Sequence, residues 1–152
     1  MNKISVKAPA KLNLHLQVIA KRNDGFHDLR TFFTFINLYD QLTFEENEEE
    51  IELKELKPIS DNLVLKAVDL LKKRTNCNKG VKIALQKHIP LQKGLGGGSS
   101  DAAATLIALN KLWNLGLTQA ELLDMSLELG SDVPFFIFGH NAWAEGRGEI
   151  LS

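Results

Sequence analysis

Seven residues, Gly94 to Ser100 (GLGGGSS), contain four glycines and two serines, and a run of small helix formers follows at once. Glycine loses more backbone freedom on folding than any other residue, so a cluster of it set against a helix needs a reason. The chemistry such a segment supports is anion binding. The first N–H groups of a helix have no internal partner, and the helix dipole adds partial positive charge there. Glycine lets the backbone approach a phosphate and form a nest of N–H groups. Ser99 and Ser100 add hydroxyls suited to a phosphate oxygen or a magnesium ion. Pro90, Leu91, Gln92, Lys93, Gly94, Leu95, Gly96, Gly97, Gly98, Ser99 and Ser100 therefore read as a cradle for nucleotide phosphates. The plain alternative is a flexible turn whose glycines serve close packing. Two better-known phosphate loops do not fit. G-x-x-x-x-G-K-[ST] needs a lysine after its last glycine, and G-x-G-x-x-G counted from Gly94 meets Ser99 at its third glycine.

The elements around this loop set where it sits. Lys11 to Ile19 alternates, with Leu12, Leu14, Leu16 and Val18 on one side and Lys11, Asn13, His15 and Gln17 on the other. That pattern predicts a half-buried strand. Lys3 to Ala8 and Leu29 to Asn37 read as further strands. Gln41 to Glu45 and Ile51 to Glu55 are expected to form a hairpin around the acidic run Glu45 to Glu50, a solvated turn. Asp61 to Arg74 places Leu63, Val64, Ala67, Val68 and Leu71 on one helical face and crowds cations into its last turn. Val81 to Lys87 alternates as a strand. Ser99 to Trp113 is apolar nearly all round, which predicts a buried helix. Thr118 and Glu121 match a capping box, with a helix to about Leu129 stopped by Gly130. NAWAEGRGEIL, Asn141 to Leu151, is strand-like. No repeat or linker interrupts this order, which predicts α+β architecture in one domain.

Composition narrows the function classes. The chain has 152 residues, 44% of them hydrophobic and 24% charged, with a formal net charge of −1. These are globular values. The near-neutral charge argues against a nucleic-acid backbone as partner. The lone Cys77 points to a reducing compartment. No apolar h-region or membrane-length run occurs, so the expectation is a cytoplasmic protein without a membrane partner. The four histidines are scattered and show no zinc spacing; His88 and His140 read as surface or packing residues.

Four segments resemble the GHMP kinase superfamily: PAKLNLHLQV, RNDGFHDLRT, PLQKGLGGGSSDAAA and GSDVPFFIFGHNAWAEGRGE. They stand in the expected order and span nearly the whole chain. The triple glycine and the DGFH segment are most similar to the branch that acts on 4-diphosphocytidyl-2-C-methyl-D-erythritol. The resemblance implies a fold like ribosomal protein S5 domain 2. It implies a small-molecule substrate and phosphorylation of its 2-hydroxyl by ATP with Mg2+, in the non-mevalonate isoprenoid pathway. It also implies that residues 1–152 are the N-terminal, ATP-binding domain and that a C-terminal domain lies outside this chain. Two other readings stay open: a nucleotide-binding module without turnover, and another small-molecule kinase of the superfamily.

By the same resemblance Lys11 and Asp132 are the catalytic pair. Asp132 takes the hydroxyl proton, and Lys11 orients it and stabilises developing charge. The plain alternatives are an exposed strand lysine and a helix N-cap. Asn13, Phe26 and His27 are implied in substrate binding, with Phe26 stacking on cytosine and His27 hydrogen-bonding the base. The turn at Asp24-Gly25 agrees with an exposed Phe26; the alternative is a core aromatic beside Phe32 and Phe33. Asn62 and Lys87 match positions lining the adenosine site, and Ser100 is the magnesium-ligand candidate.

Overall fold

The computed structural model describes residues 2–55, 62–91 and 94–152. Its centre is one long strand. β1 (Lys3–Lys21) pairs antiparallel with β2 (His27–Asn47) along its length. The other edge of β2 carries two shorter strands end to end. β4 (Gly80–Gln86) pairs with Gln41 to Asn47, and β5 (Ala142–Gly146) pairs with Leu29 to Phe33. β3 (Ile51–Glu55) lies outside β4, and β6 (Ile150–Leu151) outside β5. The helices are α1 (Leu63–Thr75), α2 (Gly97–Leu112), α3 (Gln119–Ser126) and α4 (Val133–Phe138). This mix of helices and one largely antiparallel sheet is the α+β class expected from the order of elements.

The helices cover only part of the sheet. α2 packs on β1, α1 and α4, and Leu106, Leu109, Phe44, Ile83 and Phe135 are wholly buried between the layers. α1 buries Val64, Ala67, Val68 and Leu71, the face its spacing predicts. The capping box is present: Glu121 N–H donates to Thr118 Oγ1 at 3.2 Å, and Thr118 N–H to Glu121 Oε2 at 2.9 Å. No helix among the described residues is long and apolar enough to cross a membrane.

Three expectations need correction. The apolar row on β1 is not half-buried: Leu14 is 64% exposed, and Leu12, Leu16 and Val18 are exposed with it. A bulge causes part of this. Asn13 pairs with Phe33 and His15 with Phe32, leaving Leu14 without a partner. The extra residue reverses the alternation, so His15 turns to Trp143, at 5.8 Å between rings, while Asn13 keeps the opposite face and takes Thr31. The rest follows because no helix among the described residues covers this arm, whose β1 positions from Leu12 to Lys21 are all exposed. The expected hairpin of residues 41–45 with 51–55 does not form either, because β4 inserts between them and pairs parallel with β3. The acidic run does turn in solvent, with Glu48, Glu49 and Glu50 bridging β2 to β3. Third, α2 begins at Gly97 and not at Ser99, so the last two glycines belong to the helix.

The acidic turn also presses on β4. A Cβ at Gly80 would lie 2.3 Å from the Glu50 carbonyl oxygen, whereas one at Gly98 would lie 3.5 Å from Leu63 Cδ1, ordinary contact. Gly80→Ala should therefore cost about 1–3 kcal/mol, or ~2–12 °C in melting temperature. Gly98→Ala, a helical site with room, should be neutral or stabilising. Equal melting temperatures for the two variants in a thermal scan would contradict this.

Candidate active site

β4 ends at Gln86 and the chain runs through the glycine-rich loop into α2. The loop is tied to β1, because Lys11 N–H donates to the Leu95 carbonyl at 2.9 Å. Gly94 (φ +71°) and Gly96 (φ +70°) take left-handed backbone that other residues resist. A Cβ at Gly96 would also strike the Phe136 ring at 2.8 Å. Gly97 is not left-handed. Its constraint is space, since a Cβ there would meet Ile89 at 3.0 Å and Lys87 Nζ at 3.1 Å. Gly96 is the N-cap of α2 and offers no side chain to its first amides, which are donors without a partner inside the helix. Leu63, Pro90, Leu91 and residues 94–99 line a cleft of about 220 Å³ at this point. A wider hollow of about 670 Å³, lined by Asp69, Lys72 and Cys77 among others, shares none of these residues; size alone does not locate the chemistry.

Ser99 lines the cleft and Ser100 does not. Ser100 is 2% exposed and its Oγ has no hydrogen-bond partner. It lines a separate apolar cavity with Ala103, Phe35 and Phe136. Asn62 caps α1, accepting from Val64 N–H at 2.8 Å, and stands next to Leu63 of the cleft wall. Gln92 and Lys93 lie outside the described residues.

Lys11 and Asp132, distant in sequence, come together. Lys11 Nζ lies 3.8 Å from Asp132 Oδ2, donates to Asn13 Oδ1 at 2.5 Å and sits 4.9 Å above the Phe33 ring. The Lys11 side chain is 6% exposed and that of Asp132 37%. Burial pushes the Lys11 ammonium below its ordinary range, and the Asp132 charge opposes this. Asp132 precedes α4 but makes no capping hydrogen bond, so capping does not account for it. Asn13 is held in turn by Thr31, at 2.9 Å from its amide nitrogen, and the Thr31 hydroxyl donates to the His15 carbonyl.

Phe26 and His27 stand on the bare arm. Gly25 has φ +89°, and Phe26 N–H donates to Asp24 Oδ1 at 3.0 Å. Phe26 is 46% exposed, so it is not a core aromatic. The turn between β5 and β6, read from sequence only as strand, brings in Arg147. Its guanidinium lies 3.9 Å from the Phe26 ring centroid and donates to Ser131 Oγ at 3.3 Å.

Two acids escaped the sequence reading. Lys87 does not line the cleft. Its Nζ donates to Asp40 Oδ2 at 2.5 Å and to Asp101 Oδ2 at 2.9 Å. Asp40 is 0% and Asp101 2% exposed. Burial pushes the Asp101 carboxyl up to about 8, with Asp40 acting the same way and Lys87 opposing. Burial also pushes against ionised Asp40, but hydrogen bonds from Asp101, the Ile89 and His88 amides and Lys87 hold it below the ordinary value. A signal for Asp101 did exist: an acid inside a helix apolar all round needs a partner.

Residues 62–140 match the model of the GHMP kinases N terminal domain. The 4-diphosphocytidyl-2-C-methyl-D-erythritol kinase of Prochlorococcus marinus (strain MIT 9301) is 52% identical over 98% of this chain, which covers 50% of that protein. The kinase of the same name from Nitrosococcus oceani is 51% identical over 95% of this chain, which covers 53% of it. A crystal structure of 4-(cytidine 5'-diphospho)-2C-methyl-D-erythritol kinase superposes with a TM-score of 0.87 at 40% identity, covering 98% of this chain and 54% of that one. The chain thus spans about half the length of the curated relatives it matches.

Asp101 makes stability depend on pH. Folded, it keeps its proton to about pH 8, while the unfolded chain releases it near the ordinary 3.8. Its contribution is complete below the lower value and is lost as pH rises toward the upper one, by at most ~1.4 kcal/mol per unit. Asp40 works oppositely, below the ordinary value only. Urea denaturation from pH 5 to 8 should show the wild type losing stability relative to Asp101→Asn. A constant difference between the two would mean that Asp101 does not titrate in that range.

Proposed function

Because the chain belongs to the GHMP kinase family, we propose that the protein it forms transfers the γ-phosphoryl group of ATP to the 2-hydroxyl of 4-diphosphocytidyl-2-C-methyl-D-erythritol. The observation that carries this reading is Lys11 beside Asp132 at 3.8 Å, next to a glycine loop whose helix opens without a side-chain cap. Relatives bearing that activity in their names are about half identical to this chain.

Phosphoryl transfer is mostly positioning and charge stabilisation. The residues fit the nucleotide: the first residues of α2, Gly97 to Ser99, line the cleft, and Gly94 and Gly96 take the left-handed backbone that a nest of N–H groups uses. Among the described residues no three acids, histidines or cysteines gather to hold a metal. Magnesium keeps several waters and phosphate oxygens and needs few protein ligands; in this reading the Ser99 hydroxyl, in the cleft, replaces Ser100 as its candidate. Bound ATP with magnesium supplies the phosphoryl group and offsets its charge.

The chain's own groups do the rest. Asp132 is partly open to solvent and accepts the proton of the 2-hydroxyl. Lys11, held by Asn13, orients Asp132 and faces the charge that develops. Phe26 offers a ring to the cytosine, and His27, exposed beside it, reads the base edge. The half of the relatives that this chain does not cover supplies the other wall of the cleft in this proposal.

The test uses the protein carrying both halves. Asp132→Asn should lower kcat by about 10²–10⁴ and leave ATP affinity within a few-fold, since asparagine keeps the size but takes no proton. An effect on KM alone would mean uniform binding and would remove Asp132 from the chemistry. Phe26→Ala should raise KM for the cytidine substrate roughly five- to 150-fold, the range of one stacked base, with KM for ATP unchanged. A lower melting temperature with normal substrate binding would place the cytosine elsewhere.

A further inference from the structure

We infer that Asp40, Lys87 and Asp101 are positioning residues for the glycine-rich loop, a buried strap that joins the end of β4 to the start of α2. This rests on the reading of the loop as a phosphate cradle. Asp40 sits where β2 begins to pair with β4. Its Oδ1 accepts from two successive backbone amides, His88 at 2.7 Å and Ile89 at 2.9 Å. These are the first residues past the strand's last ladder position and Lys87, so one carboxylate fixes the direction in which the chain leaves the sheet. Its other oxygen takes Lys87 Nζ, and the same ammonium reaches Asp101 in the second turn of α2.

The strap thus fixes the chain on both sides of the glycines, at His88 and Ile89 before them and at Asp101 after them, while Leu95 is tied to β1. The ammonium also backs the first residue of the helix, since a Cβ at Gly97 would lie 3.1 Å from Lys87 Nζ. Two of the three Lys87 ammonium protons are committed to the two acids, and its side chain is 19% exposed. The strap acts through the backbone amides, not through the ligand.

The charges suit the task. A protonated Asp101 leaves one anion and one cation, Asp40 and Lys87, in the buried set. Removing Asp101 thus leaves the ion pair matched, and tether loss separates from fold loss. Asparagine keeps an oxygen for Lys87 and leucine does not.

The experiment compares wild type, Asp101→Asn and Asp101→Leu by amide hydrogen exchange and by titration with Mg·ATP. Loss of a charge-assisted hydrogen bond predicts about tenfold faster exchange for residues 94–100 in Asp101→Leu, with the centres of β2 and α2 unchanged, and about tenfold weaker ATP binding. Asp101→Asn should stay within about threefold of wild type in both. Wild-type loop exchange in Asp101→Leu, or an asparagine variant as impaired as leucine, overturns the inference. If Asp101→Leu does not fold, Lys87→Gln, which keeps a donor for Asp40 but is too short to span both acids, is read in the same way. If the loop loosens as expected while wild type binds no Mg·ATP, the strap stands and the phosphate reading fails.

Discussion

A half-buried ammonium group held between two buried acids, one ionised and one protonated, is the constraint to which the loop answers. Taking such charges out of water is expensive, and a buried ion pair is weak evidence for stability by itself. What it imposes is geometry, because misplaced partners leave an uncompensated charge in the core. Lys87 illustrates one fate of a buried lysine: partners at 2.5 and 2.9 Å hold its ammonium above the ordinary value against the burial that lowers it. Lys11 illustrates the other. Its carboxylate partner is at 3.8 Å and open to water, and burial wins, so its value falls. The first cation is committed to the fold; the second keeps only a distant, solvent-open carboxylate and Asn13 as partners.

The sheet divides along the same line. Between Lys3 and Lys11, β1 alternates exposed with covered positions and is buried at Ala8, Ala10 and Lys11, whereas every residue from Leu12 to Lys21 is exposed. The glycine loop lies on the part that the helices cover. Asn13 begins the part they do not cover, and Phe26 and His27 turn at its tip. Lys11 and Asp132 stand at the border.

Local patterns were legible in the sequence, and pairings between distant segments were not. The face of α1, the capping box and the buried α2 are encoded within a few turns of their own residues, and they appear as expected. The glycines announced close backbone approach, although for Gly97 the reason is Lys87 and Ile89 behind it and not a left-handed φ. The β1 face was misassigned because a bulge at Leu14 depends on the register of β2, which alternation in one strand cannot reveal. The false hairpin has the same origin, since β4 comes from beyond α1 to occupy the place beside β2. Asp40 meets Lys87 across that same insertion, so neither acid had a visible partner. Lys11 and Asp132 were named through family resemblance alone; no local spacing joins them.

The bare arm has a consequence for the order in which the chain is made. β1 and β2 leave the ribosome together, but β5, which flanks Leu29 to Phe33, follows only after α1, β4, α2, α3 and α4 have been made. Until it arrives, the outer part of the arm is a two-stranded ribbon with no layer on either face, a form marginal in water. Leu14, Leu16, Val18 and Ile19 are exposed then and remain so after folding. Until β5 is made the nascent chain thus carries a long apolar edge, and it is open to self-association or to chaperones at the segment that later presents Phe26 and His27.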